Sequence, residues 1–256
     1  MTSSSFVPLY SGLSPEFGSS IGQYRGWISQ NKFAYNGSVG TSYEDVWAAG
    51  GTESYLTSAE TMITVSTDGN DKGVATALSG ARTLQIYGLD SNYDEINEIV
   101  TLNGTSNVTT SNSYLRVYRA IVRSAGSTGS NEGVISLTSS SSGYTHASIS
   151  IGDNQTLKSQ YTVPNGYYMI LNNVSSSCAK SDQIEVRLEE RPLNEVFQVK
   201  QIFQVFQQTI QVQFIPSKIF SPKSDIRMRA KNIGGSTVSM TAAYDFILVP
   251  ENQVNI

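Results

Sequence analysis

The sequence predicts an all-β protein built as two β-sandwich or jelly-roll-like units, residues 51–155 and 156–256, preceded by an extended N-terminal arm over 1–50. Three observations predict it. Residues 81–105 read as a β-hairpin: Leu84 and Ile86 alternate with Thr83, Gln85 and Tyr87, and Ile96, Val100 and Leu102 share one face of the return. Between the two runs lies Leu-Asp-Ser-Asn-Tyr-Asp-Glu, whose Asp, Asn and Ser side chains bond their own backbone and reverse it. The same short alternating runs, spaced about 8–12 residues apart and punctuated by Gly, Ser and Asn, continue to the C-terminus.

The arm comes first. Gly, Ser and Pro are scattered through residues 1–22 without periodicity, and Tyr24, Trp27, Phe33, Tyr35, Tyr43 and Trp47 follow. No pattern there buries one face, so the segment reads as an arm or irregular loops. So many exposed aromatics cost solubility, and Trp27, Phe33, Tyr35 and Trp47 are therefore the candidate partner-binding residues. The first unit carries strands over 62–65, the 81–105 hairpin, 114–122, 134–137 and 147–151. Asp153, Asn154 and Gln155 mark a junction. The second unit carries strands over 160–163, 167–172, 183–189, 195–200, 209–215, 225–230 and 236–249, with a strong turn at Pro164-Asn165-Gly166. Residues 199–210 also fit helical spacing; the Phe and Val content and the alternation of Ile210, Val212 and Phe214 with glutamines favour strand. The two units show no internal repeat.

With 256 residues the chain can bury a sizeable core. Only 15% of residues are charged, against roughly 25% in ordinary soluble proteins, and Ser, Thr, Asn, Gln and Gly fill the gap. The net charge of −4 and the dispersed basic residues argue against gripping nucleic acid. Strand spacing sets Arg227, Arg229 and Lys231 on one face, which reads as a solvated strand face rather than an anion site. Cys178 is alone, so no intrachain disulfide or cysteine metal cluster forms. Sequons occur at Asn36, Asn103, Asn107, Asn154 and Asn173, but the N-terminal residues show no secretion signal. No apolar run approaches the roughly 18–20 residues of a membrane span.

Catalytic chemistry finds little to use. His146 is the single histidine; Ala147, Ile149 and Ile151 alternate with it, which places it outward, solvated and unoriented. The neighbours Glu44-Asp45, Asp94-Glu95 and Glu189-Glu190 point to opposite faces of their strands, so none is a facing carboxylate pair. Residues 90–94 begin like a calcium loop, but Glu95 stands where the sharp turn needs glycine; an Asp/Asn turn is the better reading, and residues 68–71 read the same way. No phosphate-cradling loop or dinucleotide fingerprint appears. No catalytic residue, metal ligand or cofactor is expected.

Several segments, in order, carry a resemblance: Asn31-Lys32-Phe33-Ala34-Tyr35-Asn36, Glu44-Asp45-Val46-Trp47, Gly50-Gly51, Thr57-Ser58-Ala59-Glu60-Thr61, Gly80-Ala81-Arg82-Thr83, Gly88-Leu89-Asp90-Ser91-Asn92-Tyr93, Val100-Thr101-Leu102-Asn103-Gly104, residues 126–133, Tyr161-Thr162-Val163-Pro164-Asn165-Gly166 and residues 224–230. Over about residues 30–250 the chain resembles a family of virion structural proteins of tailed bacteriophages of the marine and cyanobacterial phage type. Ala34 stands where glycine is expected and Asn165 where alanine is common. The resemblance implies a virion location after synthesis in the host cytoplasm, no enzymatic activity and no cofactor. It also implies major capsid or tail proteins as partners, a capsid-decorating or head-projecting role, and a homotrimer by analogy. The alternative is a tail-associated receptor binder for host glycans, with Tyr144, Tyr167 and Tyr168 as candidate contacts. A polysaccharide-cutting enzyme has the least support.

Overall fold

The computed structural model describes residues 14–73, 78–179 and 183–255. A short helix, α1 (Pro15–Ser20), is capped by Ser14, whose hydroxyl accepts the Phe17 amide. Strands then follow in order: β1 (Ile28–Val39), β2 (Glu44–Asp45), β3 (Glu60–Ser66), β4 (Ala81–Leu89), β5 (Glu95–Thr101), β6 (Val108–Tyr114), β7 (Arg116–Ala125), β8 (Ile135–Ser139) and β9 (Thr145–Ile149). The rest of the chain adds β10 (Tyr161–Thr162), β11 (Tyr167–Cys178), β12 (Gln183–Arg191), β13 (Gln198–Phe206), β14 (Thr209–Phe220), β15 (Asp225–Asn232) and β16 (Val238–Pro250). The chain is all-β, as its alternation predicts. No helix among the described residues is long and apolar enough to cross a membrane.

Two pairs of antiparallel sheets enclose two apolar clusters. The first pair stacks the sheet β6-β3-β8-β9 on β5-β4-β7. Met62, Ile135, Leu137, Ala147 and Ile149 from one sheet meet Leu84, Ile86, Val100, Val117 and Ala120 from the other. The second pair stacks β1-β16-β11-β14 on β10-β15-β12-β13, with β2 beside β15. Its interior holds Met169, Leu171, Val174, Tyr244 and Phe246 against Ile184, Val186, Leu188, Ile226 and Met228. Burying these alternate side chains is the main driving force for folding, at about 25 cal/mol per Å² of apolar surface.

The hairpin at 81–105 forms as read. β4 pairs β5 from Thr83↔Thr101 to Leu89↔Glu95. Asp90 accepts the Asn92 and Asp94 amides through Oδ1, and Tyr93 takes a left-handed φ of 67°. The 68–71 turn has a larger role: Asp71 is fully buried and accepts the Ser66 hydroxyl at 2.6 Å and the amides of Ala81, Glu132 and Gly133 at 2.7–2.9 Å. Residues 199–210 are strand on both sides of a Gln207-Gln208 turn, not helix.

Three expectations need correction. The arm over 1–50 is not irregular along 28–39, where β1 runs antiparallel to β16 from Ile28↔Leu248 to Val39↔Val238. Its inward positions, Lys32, Ala34, Asn36 and Val39, are mostly polar or small, so apolar alternation does not reveal them. The part of the arm at 1–13 lies outside the described residues, as do 74–77 of the predicted loop. The run 114–122 is two strands meeting at Leu115, and β6 before it was missed because VTTSNSY is almost wholly polar. The strand expected at 195–200 starts at Gln198, after a turn closed by Glu195 N–H on the Pro192 carbonyl.

Gly88 lets β4 and β7 approach where their register shifts, since an added Cβ would lie 2.1 Å from the Arg116 carbonyl oxygen. Gly88→Ala is expected to destabilise the protein by about 1–3 kcal/mol through overpacking, read as a lower midpoint in thermal denaturation.

Candidate functional site

The residue types able to do chemistry are concentrated where the two sheet pairs meet, and there they act as ties. Arg116 of β7 is buried and places Nε 2.8 Å from Asp225 Oδ1 of β15, while its Nη1 donates to the Leu56 and Leu115 carbonyls. Arg191 donates to Asp225 Oδ2 through Nε at 3.0 Å, and the Thr162 hydroxyl donates to Oδ1 at 2.6 Å. Burial pushes the Asp225 carboxyl up, but the Arg116 and Arg191 guanidiniums and the Thr162 hydroxyl outweigh it and hold the pKa below its usual value.

Lys158 forms the second tie. Its ammonium donates to Glu53 Oε1 at 2.6 Å, Val117 O at 2.8 Å and His146 O at 2.6 Å, which uses all three N–H groups. His146 Nδ1 lies 3.3 Å from the same Glu53 oxygen. Lys32 of β1 makes a third, donating to Tyr118 O at 2.6 Å. Burial lowers the pKa of Lys158 and drives that of Lys32 well down, the latter helped by repulsion from Arg119 and Lys158. Arg116, Lys158 and Lys32 thus meet the carbonyls of Leu115, Val117 and Tyr118 in and beside β7, and Lys32 from β1 and Arg116 through Asp225 bind the first sheet pair to the second.

His146 is therefore not the solvated residue its alternation implied. It is 2% exposed, because β9 shifts register against β8 at this residue, from Leu137↔Ala147 to Thr138↔Thr145, which breaks the alternation, and Glu53 and Lys158 receive the ring and its carbonyl. It is enclosed with a carboxylate and an ammonium and shielded from solvent. Arg227, Arg229 and Lys231 do not form a solvated face either. Arg227 pairs Glu189 at 2.8 Å, Arg229 lies 3.5 Å from Asp45 and donates to Tyr43 O, and Lys231 lies 3.8 Å from Glu185. Their charge is cancelled across β12 and β2, a long-range pairing that strand spacing alone does not report. Glu189 and Glu190 are both buried, and Glu190 pairs Lys200 at 3.0 Å, the residue of β13 at which the register against β12 shifts. No group of three or more His, Cys, Asp or Glu residues able to hold a metal occurs among the described residues.

The four aromatic candidates separate. Trp47 is 4% exposed, bridges Lys158 through the backbone and carries the Lys158 ammonium 5.4 Å from its ring centre, so it is an interior residue of this chain. Trp27 is half-buried, stacks on Tyr24 at 4.7 Å and donates Nε1–H to Gln253 Oε1 at 2.8 Å. Phe33 and Tyr35 stand exposed on the outer side of β1, opposite Ala243 and Thr241 of β16. Tyr144 is exposed, whereas Tyr167 and Tyr168 are half-buried.

Sequence reasoning missed the rim formed by β13 and β14. Among the described residues, these consecutive strands are edges of the two stacked sheets. Val196, just before β13, is 74% exposed and Ile215 on β14 is 84% exposed, with Phe206, Ile202 and Ile219 also open. The signal was present as outward apolar residues in a Gln-rich pair of strands, but alternation cannot say which face stays uncovered.

No protein-family model and no curated protein matches the chain. Among solved structures it is similar to that of the infectious bursal disease virus Gt strain, at 11% identity over 89% of this chain and 73% of that one, with a TM-score of 0.27. It is also similar to T=1 particles derived from that virus, at 9% identity over 88% and 70% of the two chains and a TM-score of 0.27. A VP2 subviral particle of infectious bursal disease virus matches at 9% identity over 88% and 72%, with a TM-score of 0.23. At these scores the likeness does not establish a shared fold.

Proposed function

We propose that this chain is a non-enzymatic structural subunit of a tailed-bacteriophage virion, docked on the capsid shell as a decoration or head projection and assembled as a homotrimer. The observation that supports this reading is the uncovered apolar rim of β13 and β14, where Val196 and Ile215 are 74% and 84% exposed at two sheet edges. Such edges call for a covering partner, because open strands with apolar side chains otherwise invite aggregation. The buried ionisable residues at the junction of the sheet pairs serve cohesion, which suits a durable particle component. A tail-associated receptor binder is the second reading, favoured by the amide-rich outer face of the sheet containing β1.

Quantitative mass spectrometry of purified particles tests the proposal. A decoration protein gives tens to hundreds of copies following shell symmetry, a tail component roughly a handful to a few tens. Absence from the particle would exclude both. Val196→Glu and Ile215→Glu are expected to leave stability within about 0.5 kcal/mol of the parent, as exposed substitutions do, while reducing incorporation into particles in a complementation assay.

A further inference from the structure

We infer that the outer face of the β1-β16-β11-β14 sheet is a binding platform for a neutral oligosaccharide. The registers place Asn31 of β1 opposite Asp245 of β16, Asp245 opposite Asn173 of β11, and Asn173 opposite Gln213 of β14. These four side chains form one polar row crossing the whole sheet, about 14 Å long from three strand spacings. They line a groove of about 780 Å³ to which no lysine or arginine contributes.

The row is built rather than incidental. β11 carries a bulge between Leu171 and Asn173 that shifts register against both neighbours. Leu171 and Val174 are buried while the two asparagines between them both open toward the groove. Asn172 is held by Glu16 of α1 at 2.9 Å and by the Ser217 hydroxyl at 3.2 Å, closing one end. Asn31 donates to Asp245 Oδ1 at 2.5 Å, which fixes both side chains. The amides of Asn173, Gln211 and Gln213 make no side-chain hydrogen bond to the described residues and remain free for a ligand.

The next outward positions on β1 are Phe33 and Tyr35, which are 37% and 38% exposed. Beside them lie Ala243 and Thr241, and the two rings line an adjoining opening together with Ser150, Asp153 and Leu157. Carboxamides offer a donor and an acceptor side by side, which suits adjacent sugar hydroxyls, and aromatic faces accept the apolar C–H face of a pyranose ring. The two carboxylates, Glu16 and Asp245, accept further hydroxyls and repel anionic polymers. The chemistry selects an uncharged, polyhydroxylated ligand, wherever on a particle the chain resides.

Binding of the purified chain to immobilised dextran, mannan and galactan tests this, with dextran sulfate as the anionic comparison. At least one neutral polymer is expected to bind, about tenfold more weakly to Asn173→Ala or Tyr35→Ala, and unchanged to Ile99→Ala, an exposed side chain of β5 in the other sheet pair. All three substitutions are at solvent-accessible positions, and circular dichroism verifies that each variant is folded. No binding to any of the neutral polymers would overturn the inference. So would stronger binding to dextran sulfate, binding indifferent to Asn173→Ala and Gln213→Ala together, or a change of oligomeric mass in that double variant, which would assign the face to a second copy.

Discussion

Asp225→Ala is expected to destabilise the protein by about 3–5 kcal/mol, the cost of removing one partner from a buried ion pair. Asp225 is 3% exposed and is the common acceptor for Arg116, Arg191 and Thr162. Without it the Arg116 guanidinium keeps its Leu56 and Leu115 carbonyls but has no counter-charge in the junction. Chemical denaturation measures the loss, and an unchanged midpoint would show that the tie carries no stability. Replacing Arg116 and Asp225 together by leucine is expected to recover much of it, since a buried pair exchanged for apolar side chains is often neutral. Acid reads the same contact. The folded carboxyl ionises below its ordinary value, so its contribution is complete above the unfolded pKa of about 3.9. It is lost as pH falls from there through the lower folded value. The parent should therefore lose stability in that acid window more steeply than Asp225→Asn does.

Lys158→Met is expected to have the second large effect, again about 3–5 kcal/mol. The substitution retains an unbranched side chain, one atom shorter, but strips donors from Glu53 Oε1, Val117 O and His146 O at once. Burial lowers the Lys158 pKa, so a desolvation cost disappears with the ammonium. The loss still wins, because a carboxylate 7% exposed loses its ammonium partner and two carbonyls lose a charged donor in the interior. The double variant Lys158→Met with Glu53→Leu is expected to recover part of the stability, and a double-mutant cycle gives the coupling energy. Additive single effects would show that the two side chains do not act as a pair.

These ties also mark where sequence reading stops. The hairpin of β4 and β5 was legible because its apolar period and its Asp90 turn both act within a few residues. The Val199–Ile210 stretch resolved as strand for the same local reason. β1 was not legible: its inward face carries Lys32 and Asn36, whose partners, Tyr118 O and Asp45 O, come from other strands. His146 was placed outward because alternation names two faces but not what covers each. Of the four aromatic candidates, the sequence treats Trp47 and Phe33 alike, and only packing buries the first and exposes the second. The polar row on the outer sheet was equally hidden, since Asn31, Asp245, Asn173 and Gln213 are far apart in the chain and meet through registers and a bulge.

What the amino-acid order by itself determined is the all-β class and many of the strands and turns, because side-chain alternation and turn chemistry operate over neighbouring residues. Only the tertiary structure decided which faces are covered, that Arg116, Asp225, Lys158 and Glu53 are interior clasps where the sheet pairs meet, and that one outer face gathers amides near Phe33 and Tyr35. Those outcomes depend on strand order and register, which are set by burying whole sheets against each other rather than by any local stretch of chain.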